Sequence, residues 1–345
     1  MRAISAVDGI SLAIRRTREF LFRPFNWGTF LKLGLVAIIT EGLGSNFHSS
    51  SHTDHSSGHG PMVYSPSDIR PEWIAAIAVA VLVAIVLSIV IFYLVTRLRF
   101  AFFHCLIHNT SEIGPGWRIY RAQAARFFWL NIWVGFCFFL LLGLAALPFV
   151  AGFMRLIRDT PPGGTPDMWL LFTLILPLIP VILLLVLIGF AADVILRDWI
   201  MPHYALEDAT AGEAWDEVWE QIKAEKSQFA VYALLRLILP IVATIGLFIV
   251  FLVPGLMLAG SGAAIGYAIH SAFADATGAS ALVGVFIQIF FGVIAFGFTL
   301  LAGICLGGPL STGLREFALA FYGGRYQVLG DVLYPPPAPL APGIF

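Results

Sequence analysis

Long apolar stretches alternate with short polar links along this chain. Residues 73–96, 127–153, 168–192 and 281–306 carry no charged side chain. Residues 229–258 carry one, Arg236, and residues 27–47 carry Lys32 and Glu41. A helix rises about 1.5 Å per residue, so a hydrocarbon core of roughly 30 Å takes about 20 apolar residues. Each of the six stretches meets that length. The pattern predicts an all-α polytopic membrane helical bundle of about six transmembrane helices, with amphipathic helices on the cytoplasmic side.

Composition agrees with the pattern. The chain is 59% hydrophobic and 12% charged, with a mean hydropathy of +0.88. A soluble domain of this size needs more charge to cover its surface. The net charge of −1 gives no reason to expect nucleic acid. Three cysteines form no disulfide framework. No short apolar core with a small-residue cleavage site follows the basic N-terminus, so no cleaved signal peptide is expected.

Orientation follows from Arg and Lys. Fifteen lie in the N-terminal segment, the second-to-third and fourth-to-fifth links and the tail, against three, Arg70, Arg155 and Arg158, in the opposite links. Basic excess marks the cytoplasmic face. Six crossings then put both termini in the cytoplasm. The expected organisation is a basic amphipathic helix within 1–26, a membrane domain over 27–330 and a Pro-rich tail over 331–345.

Two cytoplasmic helices are predicted. Over residues 3–22, Ala3, Val7, Ile10, Ile14 and Leu21 form an apolar stripe, with Arg18 snorkelling from its edge. Over 211–226, Thr210 and Glu213 match a capping box, and Trp215, Val218, Trp219 and Ile222 share a face. Residues 193–226 hold nine acidic and three basic side chains. That acidic segment is expected to dock on neighbouring arginines, its Trp stripe supplying most of the contact, or to lie solvated with Trp at the interface. The candidate cytoplasmic surface comprises Arg97, Arg99, Trp117, Arg118, Arg121, Trp215 and Trp219.

Inside the spans, Lys32, Glu41, Arg236 and Gln288 are the polar candidates, since charge in lipid is functional by default. Snorkelling to the interface accounts for Lys32 and Arg236. Gly284, Gln288 and Gly292, then Ala295, Thr299, Gly303 and Gly307, fall four apart and make a face for close helix approach. The partners implied are the lipid bilayer and a membrane-protein partner, or a second copy meeting that face. Pro148, Pro177, Pro180, Pro240 and Pro254 read as kinks.

Metal candidates are His48, His52, His55 and His59 in a Ser- and Gly-rich link, and the pair His104 and His108. A disordered loop with incidental histidines is the plainer account of the first group. No nucleotide loop, catalytic triad order or HExxH sequence is present, so no cofactor and no catalytic residue is assigned.

Leu21-Phe22-Arg23-Pro24-Phe25-Asn26, leading into Phe30-Leu31-Lys32-Leu33-Gly34, resembles the opening of an uncharacterised prokaryotic family of multi-pass membrane proteins. Arg97-Leu98-Arg99-Phe100-Ala101-Phe102 with Trp117-Arg118-Ile119-Tyr120-Arg121 is similar in the same way. So is Arg197-Asp198-Trp199-Ile200-Met201-Pro202 with Glu213-Ala214-Trp215 downstream. This last block also resembles, more distantly, the membrane domain of some glycerophosphodiester phosphodiesterases. The resemblance implies an all-helical bundle in a bacterial inner membrane and carries no catalytic residues. The functional expectation is a non-enzymatic scaffold or accessory subunit. The alternatives are a permease for a small or amphiphilic solute, and a lipid-acting enzyme.

Overall fold

A computed structural model describes residues 5–45, 71–159, 168–273 and 279–335. The described residues form helices and no strand. In chain order these are α1 (Ala6–Phe22), α2 (Trp27–Ser45), α3 (Pro71–His108), α4 (Ile113–Ile119), α5 (Arg121–Asp159) and α6 (Met168–Val194). A π-helical turn (Ile195–Ile200) joins α6 to α7 (Met201–Leu206). Then come α8 (Ala211–Ala224), α9 (Lys226–Ala272), α10 (Ala279–Gly323) and α11 (Gln327–Leu333).

Five helical stretches among the described residues are long and apolar enough to cross a membrane: Ala75–His108, Arg121–Arg158, Leu171–Leu206, Lys226–Ala272 and Leu282–Gly323. The sixth predicted segment is helical as α2 but falls outside these five. Pro148, Pro177, Pro180, Pro240, Pro254 and Pro309 all lie within continuous helices.

These helices are longer than lipid requires. The 38 residues of α3 and the 47 of α9 correspond to about 57 and 70 Å, roughly twice a hydrocarbon core. Burial shows how each length is used. Residues 75–91 of α3 are exposed throughout, as lipid contact demands, whereas Phe100 to Phe103, Cys105 and Leu106 are buried. In α5, Ala124 and Phe127 near the start are buried, while Trp133 and Phe139 further on are exposed. In α10 the run from Arg315 to Tyr322 is buried and Phe286 to Phe298 is largely exposed. Protein packs on protein at the helix ends where the arginines gather. The uncovered apolar lengths remain for the bilayer.

Contacts divide the chain into two units. One contains Tyr120–Leu234 and the chain from Ala318 onward; the other contains Val7–Ile119 and Leu235–Phe317. In the second unit, Leu21, Phe30 and Leu33 form a small core closed by Phe20, Leu31, Ile113 and Cys305. Gly308 meets Gly34 so closely that a Cβ added at Gly308 would lie 2.7 Å from the Gly34 Cα. Backbone-to-backbone packing of this kind admits only glycine. Gly116 of α4 is equally constrained, its added Cβ lying 2.7 Å from the His104 Cβ.

The face that α1 buries differs from the predicted stripe. Ala6, Gly9, Ala13, Thr17 and Leu21 are buried, at spacings of three and four, while Val7 and Ile14 are 62% and 64% exposed. Small residues let α1 approach its neighbours closely, so the bulky side chains turn outward. In α8 the buried residues are Ala214 and Val218, so of the predicted stripe Val218 packs while both tryptophans are half-exposed.

Candidate functional site

The signature block Arg197-Asp198-Trp199-Ile200-Met201-Pro202 folds into the π-helical turn and the start of α7. A π-turn inserts an extra residue and rotates the following helix face, a device frequent at functional sites. Here Leu196 to Ala205 are all buried, charged side chains included. Arg197 pairs with Asp193 at 3.6 Å, and the Tyr232 hydroxyl donates to Asp198 at 2.8 Å. Trp199 meets Phe229 edge-on at 4.8 Å, and Tyr232 stacks on Phe321 at 4.3 Å. Arg325 covers Phe321 at 4.0 Å while pairing with Glu225 at 2.7 Å.

On this platform stands His203, fully buried. The chain reverses just after it. The His203 carbonyl accepts from the amides of Glu207 and Ala209, and Asp208 adopts φ 56, a left-handed conformation that Asp tolerates. Arg126 pairs with Asp208 at the bend. The capping box of Thr210 and Glu213 then starts α8, as its sequence predicts. The reversal brings Glu217, one turn before Gln221, back to His203.

Three donor atoms converge there. The His203 Nδ1 lies 3.4 Å from the Glu207 Oε2 and 3.3 Å from the Glu217 Oε2. Its Nε2 lies 2.6 Å from the Tyr322 hydroxyl. The Tyr326 ring covers the imidazole at 4.1 Å between centroids. The Tyr326 hydroxyl is buried with no hydrogen-bond partner in bonding geometry. Burial first, and then the Glu207 and Glu217 carboxylates beside it, push its ionisation far above the usual phenol range. His203, Glu207 and Glu217 form a group able to hold a metal ion, their ligand atoms lying within 4.8 Å of one another.

Other predicted site residues separate into distinct environments. Arg99 is buried and donates to the Thr40 carbonyl at 3.0 Å, so it is not a surface group. Arg97 lies 4.2 Å above the Trp117 ring and donates to the Trp117 carbonyl at 2.8 Å. Arg118 and Arg121 are exposed. Arg236, expected to snorkel, is buried and pairs with Glu41 at 3.1 Å. Lys32 is exposed. Gln288 lines a cleft of about 490 Å³ with Gly262, Gly266 and Gly292. Gly292 and Gly303 would meet no atom within 4 Å if given a Cβ, so that part of the small-residue face is not closely packed. His104 and His108 lie with rings 4.4 Å apart. His48, His52, His55, His59 and the tail beyond residue 335 lie outside the described residues.

The long apolar helices and their buried ends define a polytopic helical membrane protein as the fold class. The chain belongs to the family of unknown function DUF7544, whose model matches residues 4–332. No curated protein and no solved structure matches it.

Proposed function

We propose that the chain is a non-enzymatic scaffold or accessory subunit of a bacterial inner membrane, with α8 as its docking face for a basic partner. The observation that supports this most is the pair Trp215 and Trp219. Their rings stack at 5.9 Å and 12°, and each residue is 43% exposed. Ala214 and Val218 already supply the packed side of the helix, so the tryptophans are not needed to hold it. Partly exposed aromatics among acidic neighbours, here Glu213, Asp216 and Glu220, suit a cationic partner. Aromatic anchors carry much of the binding energy at interfaces, and charge complementarity selects the partner. With six crossings, the segment 27–47 included, α8 and both termini share the basic, cytoplasmic face.

Crosslinking in native membranes tests this reading. The W215S/W219S double variant is expected to lose the crosslinked partner while accumulating and melting like the parent. Unchanged crosslinks in a folded double variant would refute docking at α8.

A permease for an amphiphilic solute is a second reading, and a groove in the second unit favours it. About 560 Å³ in volume, the groove is walled by apolar residues including Ile14, Leu247, Leu306 and Pro309, with Arg18 also on its lining. Its apolar walls and Arg18 suit an acyl chain with an anionic head. Uptake by proteoliposomes of a fluorescent fatty acid, abolished by Arg18→Glu, would favour transport over scaffolding. The lipid-acting enzyme reading rests on the phosphodiesterase resemblance alone, to which the comparisons add nothing.

A further inference from the structure

We propose that His203, Glu207 and Glu217 bind a divalent first-row transition ion, Zn²⁺ by preference, clamping α8 to the end of α7. This goes beyond the docking reading and does not depend on it.

The spacing of the donors favours a metal over a proton. In a tetrahedral zinc site with bonds of about 2.0–2.1 Å, neighbouring ligand atoms lie about 3.3–3.4 Å apart. The Nδ1 to carboxylate separations are 3.3 and 3.4 Å. A charge-assisted N–H···O bond is shorter, about 2.7–2.9 Å, and a single Nδ1–H cannot serve two carboxylates well. The ligand set, one imidazole and two carboxylates, suits Zn²⁺ and its neighbours rather than soft Cu⁺ or hard Ca²⁺.

The surroundings supply what an isolated trio lacks. For Nδ1 to ligate, Nε2 must carry the proton, and the Tyr322 hydroxyl at 2.6 Å is placed to accept it. Such an outer partner fixes the tautomer and the ring orientation. The Tyr326 hydroxyl, buried beside the same carboxylates, is placed to hydrogen-bond a water completing the coordination shell. Side chains of Glu207 and Glu217 are 37% and 46% exposed, which leaves an entry path from solvent.

The test uses the full chain in detergent micelles, purified through a histidine-free tag. His48, His52, His55 and His59 are replaced by Asn so that the link cannot compete. After chelator stripping, Zn²⁺ is titrated by calorimetry and retained metal is measured after gel filtration. The parent is expected to hold about one ion more than E207Q or E217Q, or to bind at least about tenfold more tightly than either. Zn²⁺ should also raise the melting temperature of the parent and not that of either variant. Both substitutions alter half-exposed side chains, so the variants should fold. Equal Zn²⁺ binding and equal melting shifts in parent and folded variants would overturn the proposal, as would a parent that binds none.

Discussion

Arg236 of α9 donates to Glu41 of α2 at 3.1 Å, across 195 positions of sequence, and its other terminal nitrogen donates to the Leu314 carbonyl of α10 at 2.9 Å. Both side chains are buried. One guanidinium therefore ties three helices of the same unit together, where a lone cation would have to reach out to the interface. Removing one partner of a buried pair leaves an uncompensated charge, which costs about 3–5 kcal/mol. Glu41→Leu is accordingly expected to lower the unfolding midpoint sharply. The double variant E41L/R236M should recover most of that loss, because replacing both partners with apolar groups is often neutral. Denaturant unfolding in detergent measures both. Equal midpoints for the parent and E41L would exclude a structural role for the pair.

Glycines in α10 should respond to substitution according to what faces them. At Gly308, a Cβ lies 2.7 Å from the Gly34 backbone, which cannot yield as a flexible side chain does. Gly308→Ala is expected to destabilise by about 1–3 kcal/mol through overpacking. At Gly303 a Cβ meets nothing within 4 Å, and Gly303→Ala should gain up to about 1 kcal/mol from helix propensity. Opposite signs in parallel thermal melts are the predicted result.

The start of α8 should be sensitive to acid. Hydrogen bonds from the Thr210 backbone and hydroxyl hold the Glu213 carboxyl below its usual range. A depressed pKa in the folded state means its contribution is fully present above the unfolded value, about 4.3, and fades as pH falls through the folded one. Protection of the α8 amides, as exchange rates corrected for intrinsic exchange at each pH, should therefore fall below about pH 4.3 in the parent. Thr210→Ala should lower that protection at neutral pH as well and flatten its acid dependence.

How much of this was legible differs from element to element. Uninterrupted apolar runs revealed the long helices, because lipid asks only for length and hydropathy. The capping box at Thr210 was readable because both partners lie within four residues. Glu41 with Arg236 was not, since nothing local in α2 or α9 records which helices meet. The buried face of α1 was misread because Ala6, Gly9 and Ala13 pack by being small, whereas hydrophobic periodicity weights Val7 and Ile14. At the candidate metal group, His203 and Glu207 stand four apart on a helical stretch and offered a signal. Glu217 did not, because it returns only through the reversal at Asp208.

Side-specific cysteine labelling examines most directly whether α5 and α6 cross a membrane, with α8 on the opposite face from Arg158. In a background where Cys105, Cys137 and Cys305 are Ser, Arg158→Cys and Glu220→Cys are introduced separately, one beyond the exposed length of α5 and one on α8. An impermeant maleimide added to intact spheroplasts should label position 158 and leave position 220 untouched until the membrane is opened. Labelling of both positions from the same side would contradict the account.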